Sequence, residues 1–262
     1  MIIVSGCSWT DDKLWSPIHK DLKCDWPKWY RHINTDQEVL SVGLSGNSNG
    51  LIIDRAIEQL LTKPNVTNVI LALSDWTRFS ILGKAVHPEQ HWLINNLGGE
   101  RTARALSDEV RQEVMKRNDK ENGEFVNENS MFVKAVKFKP HKTLWMIVNE
   151  TLIKLKTICE LCKARDIDLY VFQMIPSSYF FAEETLKAVI GNQLFQEMYS
   201  TKDARFLNFP FFTELGGTSV EEEMKLEDDY NSMIISNLDA HPNEKGNKYI
   251  GDWFNKHVEI LK

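Results

Sequence analysis

The stretch Met1-Ile-Ile-Val-Ser-Gly-Cys-Ser-Trp-Thr10 joins a short apolar run, Ile2–Val4, to a turn of small and polar residues beginning at Ser5-Gly6. The run does not alternate with polar residues, so it reads as a strand covered on both faces. The same grammar recurs along the chain. Glu38–Val42 (EVLSV) is broken by Gly43, Val69–Leu73 (VILAL) follows the break at Pro64-Asn65, and Asp168–Gln173 and Arg205–Phe209 complete about five strands. Helical patterns fall between and after them, at Ser48–Leu61, Thr143–Arg165, Ala182–Tyr199 and Gly246–Leu261. Asn47 or Ser48 is placed to cap the first of these. Strand alternating with helix predicts an α/β sandwich with a mostly parallel sheet.

Residues Gly83–Pro140 break this rhythm. They are polar and charged, poor in strand signals, and contain one helical pattern near Leu106–Lys116. They read as an insertion in a single domain spanning 1–262, a lid, an oligomerisation arm or a surface excursion. The acidic stretch Ser219–Asp229 has the Ser219…Glu222 spacing of a capping box, which reads as a solvated helix start.

The chain has 262 residues, 42% of them hydrophobic, which suits a packed globular protein. With 31 basic and 37 acidic residues its net charge is −6, so it lacks the basic footprint that duplex nucleic acid requires. No apolar run reaches the roughly 18–20 residues of a membrane helix. The amino terminus lacks the basic region of a signal peptide, and the expectation is a cytoplasmic protein. The four cysteines are too few for a disulfide scaffold.

Parallel sheets bind ligands beyond the carboxyl ends of their strands, so the polar residues after each strand are the candidates for chemistry. After the first strand, Gly6-Cys7-Ser8 puts a serine on a tight turn; such a serine is also an ordinary turn residue. After the second, Ser45-Gly46-Asn47-Ser48-Asn49 lets the backbone approach a ligand, with N–H groups available to an oxyanion, or simply caps the next helix. Just before the last helix comes Asp239-Ala240-His241-Pro242-Asn243. Pro242 disfavours helix at His241, and in an extended segment Asp239 and His241 point the same way, carboxylate to imidazole.

Taken together and in this order, the three blocks resemble the SGNH (GDSL-type) hydrolase superfamily. Gly6-Cys7-Ser8-Trp9-Thr10 resembles its first block, Ser45-Gly46-Asn47 its second, and Asp239-Ala240-His241-Pro242-Asn243 its last. The resemblance implies a three-layer flavodoxin-like fold and cleavage of esters, thioesters or carbohydrate acetyl groups, without metal or cofactor. It also implies Ser8 as nucleophile, His241 as general base and Asp239 as its orienting carboxylate, with the N–H groups of Ser8 and Gly46 in the oxyanion hole. The chain departs from the family at the third block, where Ser74 of Leu73-Ser74-Asp75-Trp76-Thr77-Arg78 replaces an asparagine, and Asn47 or Asn49 is the alternative donor. It departs again in the last block, with one residue rather than two between Asp and His. The expected activity is esterase or O-deacetylase, on a small-molecule or glycan ester. A catalytically silent binding protein and an acyltransferase are the alternatives.

Other residues are weighed against these. Trp9 and Trp76 flank two of the blocks and could stack on a sugar ring, or could be core; Arg78 could pair with Asp75 or hold a substrate anion. Cys159-Glu-Leu-Cys162 falls within a helix, where core packing explains it better than redox or zinc chemistry. Cys7 adjoins Ser8, but neighbouring side chains on a turn diverge and one of them points inward. His19, His32, His87, His91, His141 and His257 carry no partners at ligand spacing and read mostly as surface.

Overall fold

The computed structural model describes residues 1–14, 16, 19, 21–76, 78, 140–177, 182–201 and 206–258. The expected insertion, apart from Pro140, lies outside the described residues, as do its helix near 106–116, Thr77 and Arg205.

Five parallel strands form one sheet: β1 (Ile2–Ser5), β2 (Val39–Ser41), β3 (Asn68–Leu73), β4 (Asp168–Gln173) and β5 (Phe206–Leu207), in the order β2-β1-β3-β4-β5. Every residue of β1 and β3 is buried, as their unbroken apolar runs predict. The order reverses at β1, between its neighbours β2 and β3. Right-handed crossovers therefore send the chain to one face between β1 and β2 and to the other from β2 onwards. The first face carries a 3-10 turn at Trp29–His32 and the last helix, α6 (Glu244–His257), which pack together through Trp29 and Phe254 and onto Phe172 of β4. The second carries α1 (Asn49–Thr62) and α2 (Pro140–Ala164), the latter packed on α3 (Ala182–Ile190) and α4 (Gln193–Thr201). This is an α/β fold whose sheet order fits a flavodoxin-like sandwich.

The helix expected over Ala182–Tyr199 is two helices. Gly191 ends the first, with no room for a Cβ beside the Trp145 ring, and the Asn192 side chain accepts from the Leu194 N–H to start the second. The capping box forms as expected at the start of α5 (Val220–Met224). Two short antiparallel strands, β6 (Ile234–Ser236) and β7 (Asp239–Pro242), precede α6 and were not foreseen as a pair. The Asn243 side chain accepts from the Gly246 N–H, so α6 begins two residues earlier than its apolar pattern suggests. All four cysteines are free thiols, with Cys162 in the core. No helix among the described residues is long and apolar enough to cross a membrane.

Candidate active site

Ser8 follows β1 by three residues, on a turn closed by the Thr10 N–H donating to Cys7 O (2.8 Å). The turn sends Cys7 and Ser8 in different directions. Cys7 points into the core, where burial pushes its thiol pKa up and leaves it a poor nucleophile. Ser8 stays at the surface of the core, 8% exposed, facing His241.

His241 lies on β7, and the extended backbone there aligns residues two apart. Its Nδ1 is 2.5 Å from Asp239 Oδ1 and its Nε2 is 2.9 Å from Ser8 Oγ. An ionised carboxylate can only accept, so the neutral ring carries its proton on Nδ1 and leaves Nε2 to accept from the Ser8 hydroxyl. Asp239 Oδ1 also accepts the His241 N–H (3.2 Å), and Oδ2 accepts from Ser16 Oγ at 2.5 Å. Burial alone would raise the Asp239 pKa, but the bonds from His241 and Ser16 more than offset it and hold the carboxyl below its ordinary range. The one-residue spacing between Asp239 and His241 is therefore compatible with a complete Ser–His–Asp chain.

The loop after β2 is stitched to the turn that carries Ser8. Asp11 Oδ2 accepts from both the N–H (2.8 Å) and the Oγ (2.7 Å) of Ser45, while Leu44 N–H donates to Gly6 O at 3.1 Å. Gly43 sits so close to Thr10 that a Cβ would fall 2.7 Å from the Thr10 carbonyl oxygen, and only glycine fits. Gly46 takes φ +80°, a left-handed conformation that glycine adopts without strain.

The remaining expected donors are committed elsewhere. Asn47 is fully buried and donates from Nδ2 to Gly6 O (3.1 Å). Asn49 spends both ends of its amide on Ser74, accepting from its N–H (2.6 Å) and donating to its carbonyl (3.1 Å). Gln173 donates a further bond to Ser74 O at 2.7 Å. Ser74 is thereby fixed inside the core, its hydroxyl buried with no hydrogen-bond partner among the described residues. Asn47 and Asn49 thus each give one amide N–H to the backbone around the site.

A correction concerns the tryptophans. Trp9 is 4% and Trp76 1% exposed, Trp76 donates from Nε1 to Gln173 Oε1 (3.0 Å), and its ring packs on Phe212. Neither presents a face on which a sugar could stack; both are core. Arg78 is half-buried, its N–H donating to Asp75 O (3.2 Å), and its charge acts on Cys7 beside the nucleophile. His19 is no bare surface residue either, since its Nε2 lies 2.7 Å from Ser236 Oγ.

Two residues of the site were missed from sequence, Asp11 and Ser16. Both act on partners far along the chain, 34 and 223 residues away, so no local spacing announces them. Among the described residues no cluster of three or more His, Cys, Asp or Glu could hold a metal ion. No protein-family model matches this sequence, and no curated protein is significantly similar to it.

Proposed function

We propose that the protein is a serine hydrolase of the SGNH type acting on an ester with a short acyl group such as O-acetyl. The reading rests on one observation, the unbroken chain Ser8 Oγ–His241 Nε2 (2.9 Å) and His241 Nδ1–Asp239 Oδ1 (2.5 Å) at the carboxyl edge of the sheet. In this mechanism His241 takes the Ser8 proton as Oγ attacks the acyl carbonyl, and Asp239 stabilises the imidazolium that forms. The N–H groups of Ser8 and Gly46 are the oxyanion donors that the family resemblance implies. His241 then gives its proton to the departing alcohol, and the acyl-enzyme is hydrolysed by a water that His241 deprotonates.

The buried tryptophans remove the argument for a carbohydrate ring on the alcohol side. One observation favours a second reading, a non-catalytic protein with the same fold. The Ser74 hydroxyl, standing where the family has its asparagine donor, is sealed in the core. Loss of one oxyanion donor costs roughly 3–4 kcal/mol where it has been measured, so the hydrolase reading predicts a slow enzyme.

Turnover of aryl and sugar acetates by the wild type, Ser8→Ala and His241→Ala separates the two. Hydrolysis by the wild type that both variants lose supports the esterase. Hydrolysis that survives Ser8→Ala overturns the assignment, and a folded wild type inert to every ester favours the non-catalytic protein.

A further inference from the structure

Asp239 sits inside a closed ring of hydrogen bonds that reaches beyond the three residues of the triad. Its backbone N–H donates to Ser236 Oγ (3.2 Å), as does that of Leu238 (3.2 Å). With two donors on its oxygen, the Ser236 hydroxyl has its own proton to give, and the acceptor is His19 Nε2 at 2.7 Å. The backbone N–H of His19 then donates to Ser16 Oγ (2.9 Å), and Ser16 Oγ donates to Asp239 Oδ2 (2.5 Å). Ser16 is fully buried, and among the described residues it is the one donor to Oδ2.

We propose that Ser16 is a positioning residue of the site: its hydroxyl fixes the rotation of the Asp239 carboxylate so that Oδ1 stays on His241 Nδ1. The inference rests on the hydrolase reading for its catalytic consequence, though not for its geometry. With Oδ1 bonded to the ring and backbone N–H of His241 and Oδ2 left bare in a nearly dry site, the carboxylate turns to share the Oδ1 donors or admits water. Ser16 accepts from His19 and donates to Asp239, so its hydroxyl proton has one direction, and the His19–Ser236 contact ties this brace to the strand that leads into β7. Among the described residues the ionisable neighbours of the brace are His241, His19 and Cys24. The Cys24 thiol is pushed up by burial and feels both the Lys28 and Asp239 charges. None of these replaces Ser16 as a donor to Oδ2.

The test compares Ser16→Ala and Ser16→Cys, which lack the hydroxyl, with Ser16→Thr, which keeps it. Two readouts are taken: the rate of labelling of Ser8 by a fluorophosphonate, and the far-downfield proton resonance of His241 Nδ1–H, assigned by its loss in His241→Ala. Ser16→Ala and Ser16→Cys are expected to label about tenfold more slowly, the size expected for one lost charge-assisted bond. Their Nδ1–H resonance is expected to move upfield or exchange away, and Ser16→Thr to restore both. A folded Ser16→Ala or Ser16→Cys with an unchanged resonance overturns the proposal, as does Ser16→Thr behaving like the hydroxyl-free variants. Should the wild type never label while the resonance still depends on the Ser16 hydroxyl, the hydrolase reading fails and the positioning role stands.

Discussion

Two neighbouring strands end in similar words. After β1 the chain reads Cys7-Ser8-Trp9, and after β3 it reads Ser74-Asp75-Trp76, each with a tryptophan buried nearby. Yet Ser8 faces a histidine while Ser74 is locked into the core. The difference comes from what surrounds each serine. Around Ser74, Asn49 from α1 and Gln173 from β4 bond every backbone polar group and turn the hydroxyl inward. Around Ser8 the bonds go to its neighbours instead: Gly6 O takes Leu44 and Asn47, and Asp11 takes Ser45, which leaves Oγ to His241. A serine at a strand end is turned towards a histidine or into the core by the elements packed around it.

The comparison breaks if the two serines behave alike. Ser8→Ala is expected to lower ester turnover by at least about 10⁴-fold, since nucleophile and base act as a unit. Next in size is Asp239→Asn, which leaves the shape of the site but presents the wrong hydrogen-bonding face to His241 Nδ1. Turnover should fall by roughly four orders of magnitude, the effect of a wrong tautomer in serine triads. The same variant sharpens the electrostatics. Because Asp239 titrates below its ordinary range, its stabilising contribution is full above the unfolded value of about 3.9 and is lost as pH falls through the lower folded value. Thermal melts from neutral pH into acid should therefore drop less steeply in Asp239→Asn than in the wild type.

On the inert side, Gln173→Leu strips partners from Ser74 O and from the Trp76 Nε1–H in a fully buried setting. Chemical denaturation should show a loss of about 2–4 kcal/mol. Asp11→Asn frees the Ser45–Gly46 turn while leaving the triad in place, and should lower kcat about tenfold with the melting temperature little changed. Smallest of all is Ser74→Ala. Its hydroxyl makes no bond among the described residues and touches no reacting atom, so turnover should stay within about twofold and stability within about 1 kcal/mol. A large fall in kcat for Ser74→Ala would make that hydroxyl an oxyanion donor after all.

What the sequence made legible follows from range. Strands β1, β3 and β4 stand out because strands covered on both faces leave continuous apolar runs, and Asp168–Gln173 matches its predicted bounds residue for residue. The Ser8, Asp239 and His241 constellation is legible because each lies beside a strand end or on an extended segment, where residue type and backbone together set direction. Helix breaks are less visible: the split between α3 and α4 depends on the Trp145 ring against Gly191, a contact across the fold. Ser16 and Asp11 were invisible for the same reason, being polar residues in an irregular loop whose partners are far along the chain. The tryptophans stay ambiguous because aromatic rings beside a site and aromatic rings beneath it leave the same mark in sequence.

The most direct measurement is to treat the folded protein with a fluorophosphonate and map the adduct by peptide mass. A single phosphonylated peptide carrying the label on Ser8 is expected, absent in Ser8→Ala and His241→Ala and unaffected in Ser74→Ala. A label on any other residue, or labelling of Ser8 that persists without His241, would contradict the hydrolase reading.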